Sequence, residues 1–386
     1  MSRFKGSQEE WKETRLGIFL KEINEKSTIS NQYPIASVTI KTLTGLKPQS
    51  TRFNKRIASK NDIGYKIVSP KNIIIDFIDI LTGSIAYNNS NESFLVSPVY
   101  KVFEVQPQYK PFFIFQLLKT RKALQFYKQI SNKGVRISLN INTFNNLLFR
   151  IPSLSEQNKI ASFISLLDKK INLEEELLKN YQLQKNYFLN SLIEQKFRFK
   201  GSQEEWRETR LGIFLKEINE KSTILNQYPI ASVTTTGLKP PSISFNKRIA
   251  REDDIGYKIV SPKNITINLY NILIGSITYN NSNERFLVSP VYKVFEVQPQ
   301  YKPFFIFQLL KTEKALTLYK QISNKGIRNN LNMNVFNNLL FRIPSLSEQN
   351  KIASFISLLD KKINLEEELL KNYQLQKNYF LNSLII

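Results

Sequence analysis

The sequence predicts an α+β chain in which two similar globular domains are separated by a long antiparallel two-helix coiled coil, with pseudo-twofold symmetry. Three observations predict it. The 386-residue chain repeats itself: Phe4-Lys5-Gly6-Ser7-Gln8-Glu9-Glu10-Trp11 returns as Phe199-Lys200-Gly201-Ser202-Gln203-Glu204-Glu205-Trp206. After a three-residue deletion near Thr235 the offset falls from 195 to 192 residues and holds to the end. Solenoid periods run about 20–50 residues, so two long equal units act instead like a covalent homodimer. Each copy closes on a stretch free of Gly and Pro, 155–193 and 347–385, that reads as one helix. Charge divides the same way. The chain carries 55 Lys and Arg against 32 Asp and Glu, a net +23. In 155–193, Glu156, Asp168, Glu174, Glu175 and Glu176 balance Lys159, Lys169, Lys170, Lys179 and Lys185, so the excess lies in the globular parts.

The expected boundaries are 1–150 for the first domain, 151–195 for its helix, 196–342 for the second domain and 343–386 for its helix. Within 1–150 the segments Ile63–Ser69, Ile73–Ile80 and Phe94–Val105 carry strand-like β-branched and aromatic runs. Turns are expected at Ser69-Pro70-Lys71-Asn72 and Tyr87-Asn88-Asn89-Ser90-Asn91. Pro111 to Ile130 reads as a helix, with Pro in its first turn and Gly134 beyond its end. Its stripe of Phe112, Phe115, Leu118 and Leu124 reads as core; a base-stacking platform is the alternative.

Pro152, Ser153 and Glu156 form a capping-box pattern at the start of the long helix. Apolar positions then step by four and three: Ile160, Ile164, Leu167, Ile171, Leu178, Tyr181, Phe188 and Leu192. Glu174 and Lys185 occupy two intervening stripe positions. The seam recurs at Ile352, Ile356, Leu359, Ile363, Leu370, Tyr373, Phe380 and Leu384. A helix of about 39 residues is about 58 Å long and would protrude from its domain. Two equal stripes in one chain can bury each other; a partner-binding helix with no mate in the chain is the other reading.

Several chemistries are excluded. There is no Cys and no His, so disulfides, Cys/His zinc sites, thiol catalysis and Ser-His pairs are out. No G-x-x-x-x-G-K-[ST] or G-x-G-x-x-G loop occurs, nor an Asn-Pro-Pro-Tyr or Asp-Pro-Pro-Tyr tetrapeptide. Glu174-Glu175-Glu176 reads as a solvated helix face with one position at its buried edge rather than a metal site. The start Met1-Ser2-Arg3-Phe4-Lys5 predicts no secretory signal, and the apolar runs are too short to span a bilayer. Basic charge points to a polyanion, with Lys-rich codon usage as the alternative. Codon usage does not account for a bias confined to the globular parts. The reading is a non-catalytic binding protein of the cytoplasm with no membrane partner.

The run Arg150-Ile151-Pro152-Ser153-Leu154-Ser155-Glu156-Gln157-Asn158-Lys159-Ile160, continued by Leu167-Asp168-Lys169-Lys170-Ile171, resembles the conserved helix of type I restriction–modification specificity subunits. Glu10-Trp11 with Leu16-Gly17, Val96–Phe103 and Lys133–Arg136 also fit, and all recur in the second half at Glu205-Trp206 with Leu211-Gly212, Val288–Phe295 and Lys325–Arg328. The resemblance implies two target-recognition domains, each reading half of a split double-stranded DNA site. It implies a specificity subunit that does no chemistry and binds no cofactor of its own. Two methyltransferase subunits would dock on it and use S-adenosylmethionine. Restriction subunits can join; ATP and magnesium would belong to those partners. The competing reading is a coiled-coil adaptor whose domains bind nucleic acid without sequence preference.

About 25 substitutions separate the two globular parts, and Phe144–Ile193 matches Phe336–Ile385 at every position. Similar readers imply a bipartite site that is palindromic or nearly so. Differences cluster at Gln49, Thr51 and Arg52 (Pro241, Ile243, Ser244), Ser59 and Lys60 (Arg251, Glu252), and Ile137 and Ser138 (Asn329, Asn330). They either tune the half-sites or are neutral drift. The candidate phosphate and base contacts are Lys47, Arg52, Lys55, Arg56, Lys133 and Arg136, with Lys239, Lys247, Arg248, Lys325 and Arg328 in the second copy. Amides for base edges are Asn88, Asn89 and Asn91, with Asn280, Asn281 and Asn283, unless that run is an ordinary turn.

Overall fold

The computed structural model describes residues 10–39, 44–49, 62–131, 139–202, 204–234, 237–239, 254–323 and 332–385. It divides into two compact units, Met1–Glu176 with Glu368–Ile386, and Leu177–Glu367.

In the first unit the chain runs β1 (Lys12–Arg15), α1 (Leu16–Phe19), β2 (Leu20–Ile23), β3 (Ala36–Val38), β4 (Leu46–Pro48), β5 (Lys66–Val68) and β6 (Ile73–Ile75). A 3-10 turn at Ile80–Thr82 leads to β7 (Ile85–Tyr87), β8 (Phe94–Val96) and β9 (Lys101–Val105). Then come α2 (Pro111–Leu118), α3 (Arg121–Ile130), α4 (Ile141–Asn145), β10 (Leu148–Ile151) and the long α5 (Leu154–Ile193), which continues into the second unit. The main sheet has the antiparallel order β2-β9-β6-β7, with Ile73 opposite Phe103 and Tyr87. β1 pairs with β10, so the domain closes at the residues that lead into α5.

Alternation along β6 places one core on each face of this sheet. Ile73 and Ile75 join Phe103, Phe113, Phe115, Leu118, Tyr127 and Phe144, together with Ile160 and Ile164 of α5. Ile74 faces the other way, into a smaller core with Val68, Ala86, Phe94, Val96 and Val102. A strand buried on both faces reads as an unbroken apolar run, as Ile73-Ile74-Ile75 does. The expected stripe is therefore core: Phe115 and Leu118 of α2 are fully buried, and Phe112 of α2 and Leu124 of α3 pack against the same core.

Three expectations need correction. The helix expected from Pro111 to Ile130 is two, because Thr120 turns extended and its hydroxyl accepts the Ala123 N–H, capping a new start. The strand expected from Phe94 to Val105 is β8 and β9, separated by a turn around Pro98. The strand expected from Ile73 to Ile80 is shorter: β6 ends at Ile75, and Ile80 already begins the 3-10 turn.

The second unit repeats the plan: β11 (Arg207–Arg210), α6 (Leu211–Phe214), β12 (Leu215–Ile218), β13 (Ser232–Thr234), β14 (Gly237–Lys239), β15 (Lys258–Val260), β16 (Ile265–Ile267) and a 3-10 segment (Leu269–Ile274). β17 (Ile277–Tyr279), β18 (Phe286–Val288), β19 (Lys293–Val297), α7 (Pro303–Leu309), α8 (Glu313–Ile322), α9 (Met333–Asn337), β20 (Leu340–Ile343) and α10 (Leu346–Leu384) follow. Its sheet order is β12-β19-β16-β17.

Each unit contains one stretch of α5 beside one stretch of α10, running antiparallel. In the first, Phe163 meets Phe380 edge to face at 5.1 Å and Lys170 lies 4.2 Å over the Tyr373 ring. In the second, Phe188 meets Phe355 at 5.6 Å and Lys362 lies 5.2 Å over Tyr181. Among the expected seam residues Ile160, Ile164, Ile171, Leu192, Ile352, Ile356, Ile363 and Leu384 are buried. Leu167, Leu178, Tyr181, Phe188, Leu359, Leu370, Tyr373 and Phe380 are half-buried.

Candidate nucleic-acid interface

The loop between β7 and β8 is built around one side chain. Asn88 is buried, and its amide donates to Val68 O at 3.1 Å and Glu92 O at 2.8 Å. Its Oδ1 accepts the Ser90 N–H at 3.1 Å and the Ser90 hydroxyl at 2.8 Å. Asn280 repeats the set on Val260, Glu284 and Ser282 at 3.2, 2.8, 3.1 and 2.8 Å. Asn88 and Asn280 thus shape the loops from within. The exposed amides are those of Asn89 and Asn91, and of Asn281 and Asn283. A loop held by its own buried amide is rigid before any ligand arrives, which lowers the entropic cost of binding.

Lys47 lies half-buried on β4 opposite Ser37, and Lys239 sits on β14 opposite Ser232. Arg52, Lys55, Arg56, Lys133, Arg136, Lys247, Arg248, Lys325 and Arg328 lie outside the described residues.

One residue beside this loop was not singled out from the sequence. Ser93 of the first copy is Arg285 in the second. The Arg285 Nη1 donates to the Tyr228 hydroxyl at 3.1 Å, and its guanidinium carbon lies 5.8 Å from that ring's centre. The segment bearing Tyr228 is itself tied down, since the Asn226 N–H donates to the Asp254 carboxylate at 2.9 Å. Only comparison of the copies, position by position, could have flagged Arg285.

The motif at the start of each long helix has a local physical reason. The Gln157 amide donates to Pro152 O at 3.0 Å while its Oε1 accepts the Lys110 N–H at 2.9 Å, bolting the helix to the turn before α2. Gln349 does the same with Pro344 and Lys302. Glu348 is buried and accepts two bonds from Arg198, at 3.1 and 2.7 Å, and one from the Trp206 indole at 3.1 Å. The Leu-Gly pair is steric: a Cβ on Gly17 would stand 3.1 Å from Asn145 Cβ, and one on Gly212 equally close to Asn337.

Charges are buried where domain meets helix pair. The Lys377 ammonium lies 2.6 Å from Asp168 in the first unit, with both side chains nearly enclosed. Lys185 and Asp360 make the same contact at 2.6 Å in the second. Burial raises the Asp168 pKa although Lys377 opposes it. Lys119 at the end of α2 lies 4.9 Å over the Phe115 ring. Its pKa is lowered to about 8, first by burial and then by Lys377, against the pull of Asp168. Lys311 is lowered for the same reasons, burial and Lys185.

The outer faces of the helices are apolar in places. Leu166 and Leu173 of α5 are about two-thirds exposed in the first unit, as are Leu358 and Leu365 of α10 in the second. Among the described residues no helix is long and apolar enough to cross a membrane, and no three acids cluster in a way that would hold a metal ion.

The described residues thus form a duplicated α+β domain, each copy packed with one stretch of α5 and one of α10. A model of the type I restriction modification DNA specificity domain matches residues 8–182 and again 204–373, and the chain belongs to that family. Its fold is similar to that of the type I restriction–modification S subunit from M. genitalium, with 13% identity over 99% of this chain and 98% of that one, TM-score 0.57. It is also similar to a chain from a structure concerned with complex assembly and conformational transition of the type I R-M system, with 14% identity over 97% of each and TM-score 0.56. No curated protein sequence matches the chain.

Proposed function

We propose that this chain is the sequence-specific DNA-recognition subunit of a type I restriction–modification complex. Each domain reads one half of a split site. Because the domains are near copies, the half-sites are similar words on opposite strands around an unread spacer. The observation that carries this reading is the rigid loop with two exposed asparagine amides, built the same way in both units of a chain of net charge +23. Amides of this kind suit adenine edges, and basic side chains suit phosphates.

The chain does no chemistry in this reading. S-adenosylmethionine, ATP and magnesium belong to the other subunits, and two methyltransferase subunits dock on the helices. The exposed leucines of α5 and α10 suit that docking, since apolar helix faces of this kind mark protein contacts. The same leucines would serve a structural adaptor, which is the second reading.

Mapping adenine methylation in cells with and without the gene tests the proposal. Loss of methylation at a split, near-palindromic motif supports it. Two unrelated half-sites overturn the palindromic part, and no change favours the adaptor. Binding that falls steeply with salt supports phosphate contact, whereas a flat response points to a protein partner.

A further inference from the structure

We infer that Arg285 is a base-reading residue of the second domain alone, and that it breaks the palindrome at one position by selecting a guanine. The inference rests on the DNA-recognition reading above and deepens it.

The two loops offer an internal comparison. Their frames share the same buried asparagine, the same serine bridge and the same exposed amides, with matching bond lengths. Directly after them stands Ser93 in one copy and Arg285 in the other. Tyr33 and Tyr228 occupy equivalent positions, but only Tyr228 carries a guanidinium. The Arg285 fork is exposed, and one of its nitrogens is engaged by the Tyr228 hydroxyl. That leaves the rest of the planar donor edge free and limits its rotation.

The chemistry of such a group is specific. A planar guanidinium held on an aromatic ring can donate two parallel bonds to one acceptor pair. In the major groove that pair is the O6 and N7 of guanine, and one such contact is worth about tenfold to a hundredfold in discrimination. Serine on the other copy can bond to several bases and distinguishes them poorly. The expected target therefore carries a strongly preferred G·C pair in one half-site where the other half-site is permissive.

The test uses the full-length chain and a pool of random duplex DNA, with wild type, Arg285→Ser and Ser93→Arg selected in parallel. Arg285 is exposed and Ser93 half-buried, so the melting temperature of each variant is measured alongside to separate folding from recognition. The expected result is that wild type enriches a split motif, Arg285→Ser loses the guanine preference at one position of one half-site, and Ser93→Arg creates it in the other. An unchanged motif in both variants overturns this inference and leaves the DNA reading standing. Uniform weakening with the base preferences intact also overturns it, because Arg285 would then contact phosphate. If wild type enriches no motif, the DNA reading itself fails, and this inference with it.

Discussion

The internal duplication supplies a stability experiment in which each domain is the other's control. In the second unit Thr266 of β16 sits directly opposite Thr278 of β17. Both are fully buried, and neither hydroxyl has a hydrogen-bond partner. In the first unit the same cross-strand pair is Ile74 and Ala86, inside an apolar core with Val68, Phe94, Val96 and Val102. A buried hydroxyl left unpaired costs about 1–3 kcal/mol. The isoleucine also adds apolar surface worth about 0.8 kcal/mol per buried methylene. The alanine gives part of that back, so the double replacement Thr266→Ile with Thr278→Ala should stabilise the second domain by about 2–4 kcal/mol. Native-state amide hydrogen exchange reads this directly. Protection of β16 and β17 should rise about 30-fold or more, while β6 and β7 in the same molecule stay unchanged. The reverse pair, Ile74→Thr with Ala86→Thr, should lower protection in the first domain by a similar factor. Unaltered or faster exchange in β16 and β17, with the reverse pair harmless, would refute the reasoning.

Three further outcomes are expected. Replacing Lys377 by Ala strands the enclosed Asp168 carboxylate and should cost about 3–5 kcal/mol, whereas replacing both partners by Leu should be close to neutral; urea unfolding distinguishes the two. Lys119 should make stability rise with pH. Its folded pKa of about 8 lies below the unfolded value of 10.5, so between those values the unfolded chain binds more protons. Lys119→Met should flatten the profile in that window, which thermal melts from pH 7 to 11 would show. Finally, Arg198→Ala removes two charge-assisted bonds from buried Glu348 and should lower the urea midpoint, with a change in Trp206 fluorescence as its local signature.

What was legible in the sequence followed from periodicity and repetition. The seam of Ile160, Ile164 and Ile171 and its copy could be read because a long helix imposes one period on many residues. The aromatic stripe of α2 was legible as core for the same reason. The break at Thr120 was not, because a single side-chain bond to the Ala123 N–H decides it and no pattern announces it. The role of Asn88 was equally hidden. In sequence Asn88, Asn89 and Asn91 are alike, and only the fold separates the one whose amide is enclosed by backbone carbonyls from the two that face solvent. Arg285 escaped because it is a lone arginine in a basic chain. Its meaning comes from the tyrosine 57 residues earlier that it rests on.

The ion pairs between the helices have a reason that comes from duplication itself. α5 and α10 share one sequence over Leu154–Ile193 and Leu346–Ile385, so the apolar seam alone cannot tell a parallel pairing from an antiparallel one. Any device that sets direction must therefore be present on both helices and be complementary only when one is reversed. Asp168 with Lys185, and Asp360 with Lys377, meet that condition. Antiparallel, they give Asp168–Lys377 and Asp360–Lys185, both at 2.6 Å. Parallel and in register, the same residues would set Asp168 against Asp360 and Lys185 against Lys377, two like-charge contacts in a partly desolvated seam. An enclosed ion pair adds little net stability over apolar residues, but it can fix orientation at that modest cost. The Leu167-Asp168-Lys169-Lys170-Ile171 run is on this account an orientation device: its aspartate matters because the partner helix is the same helix turned around.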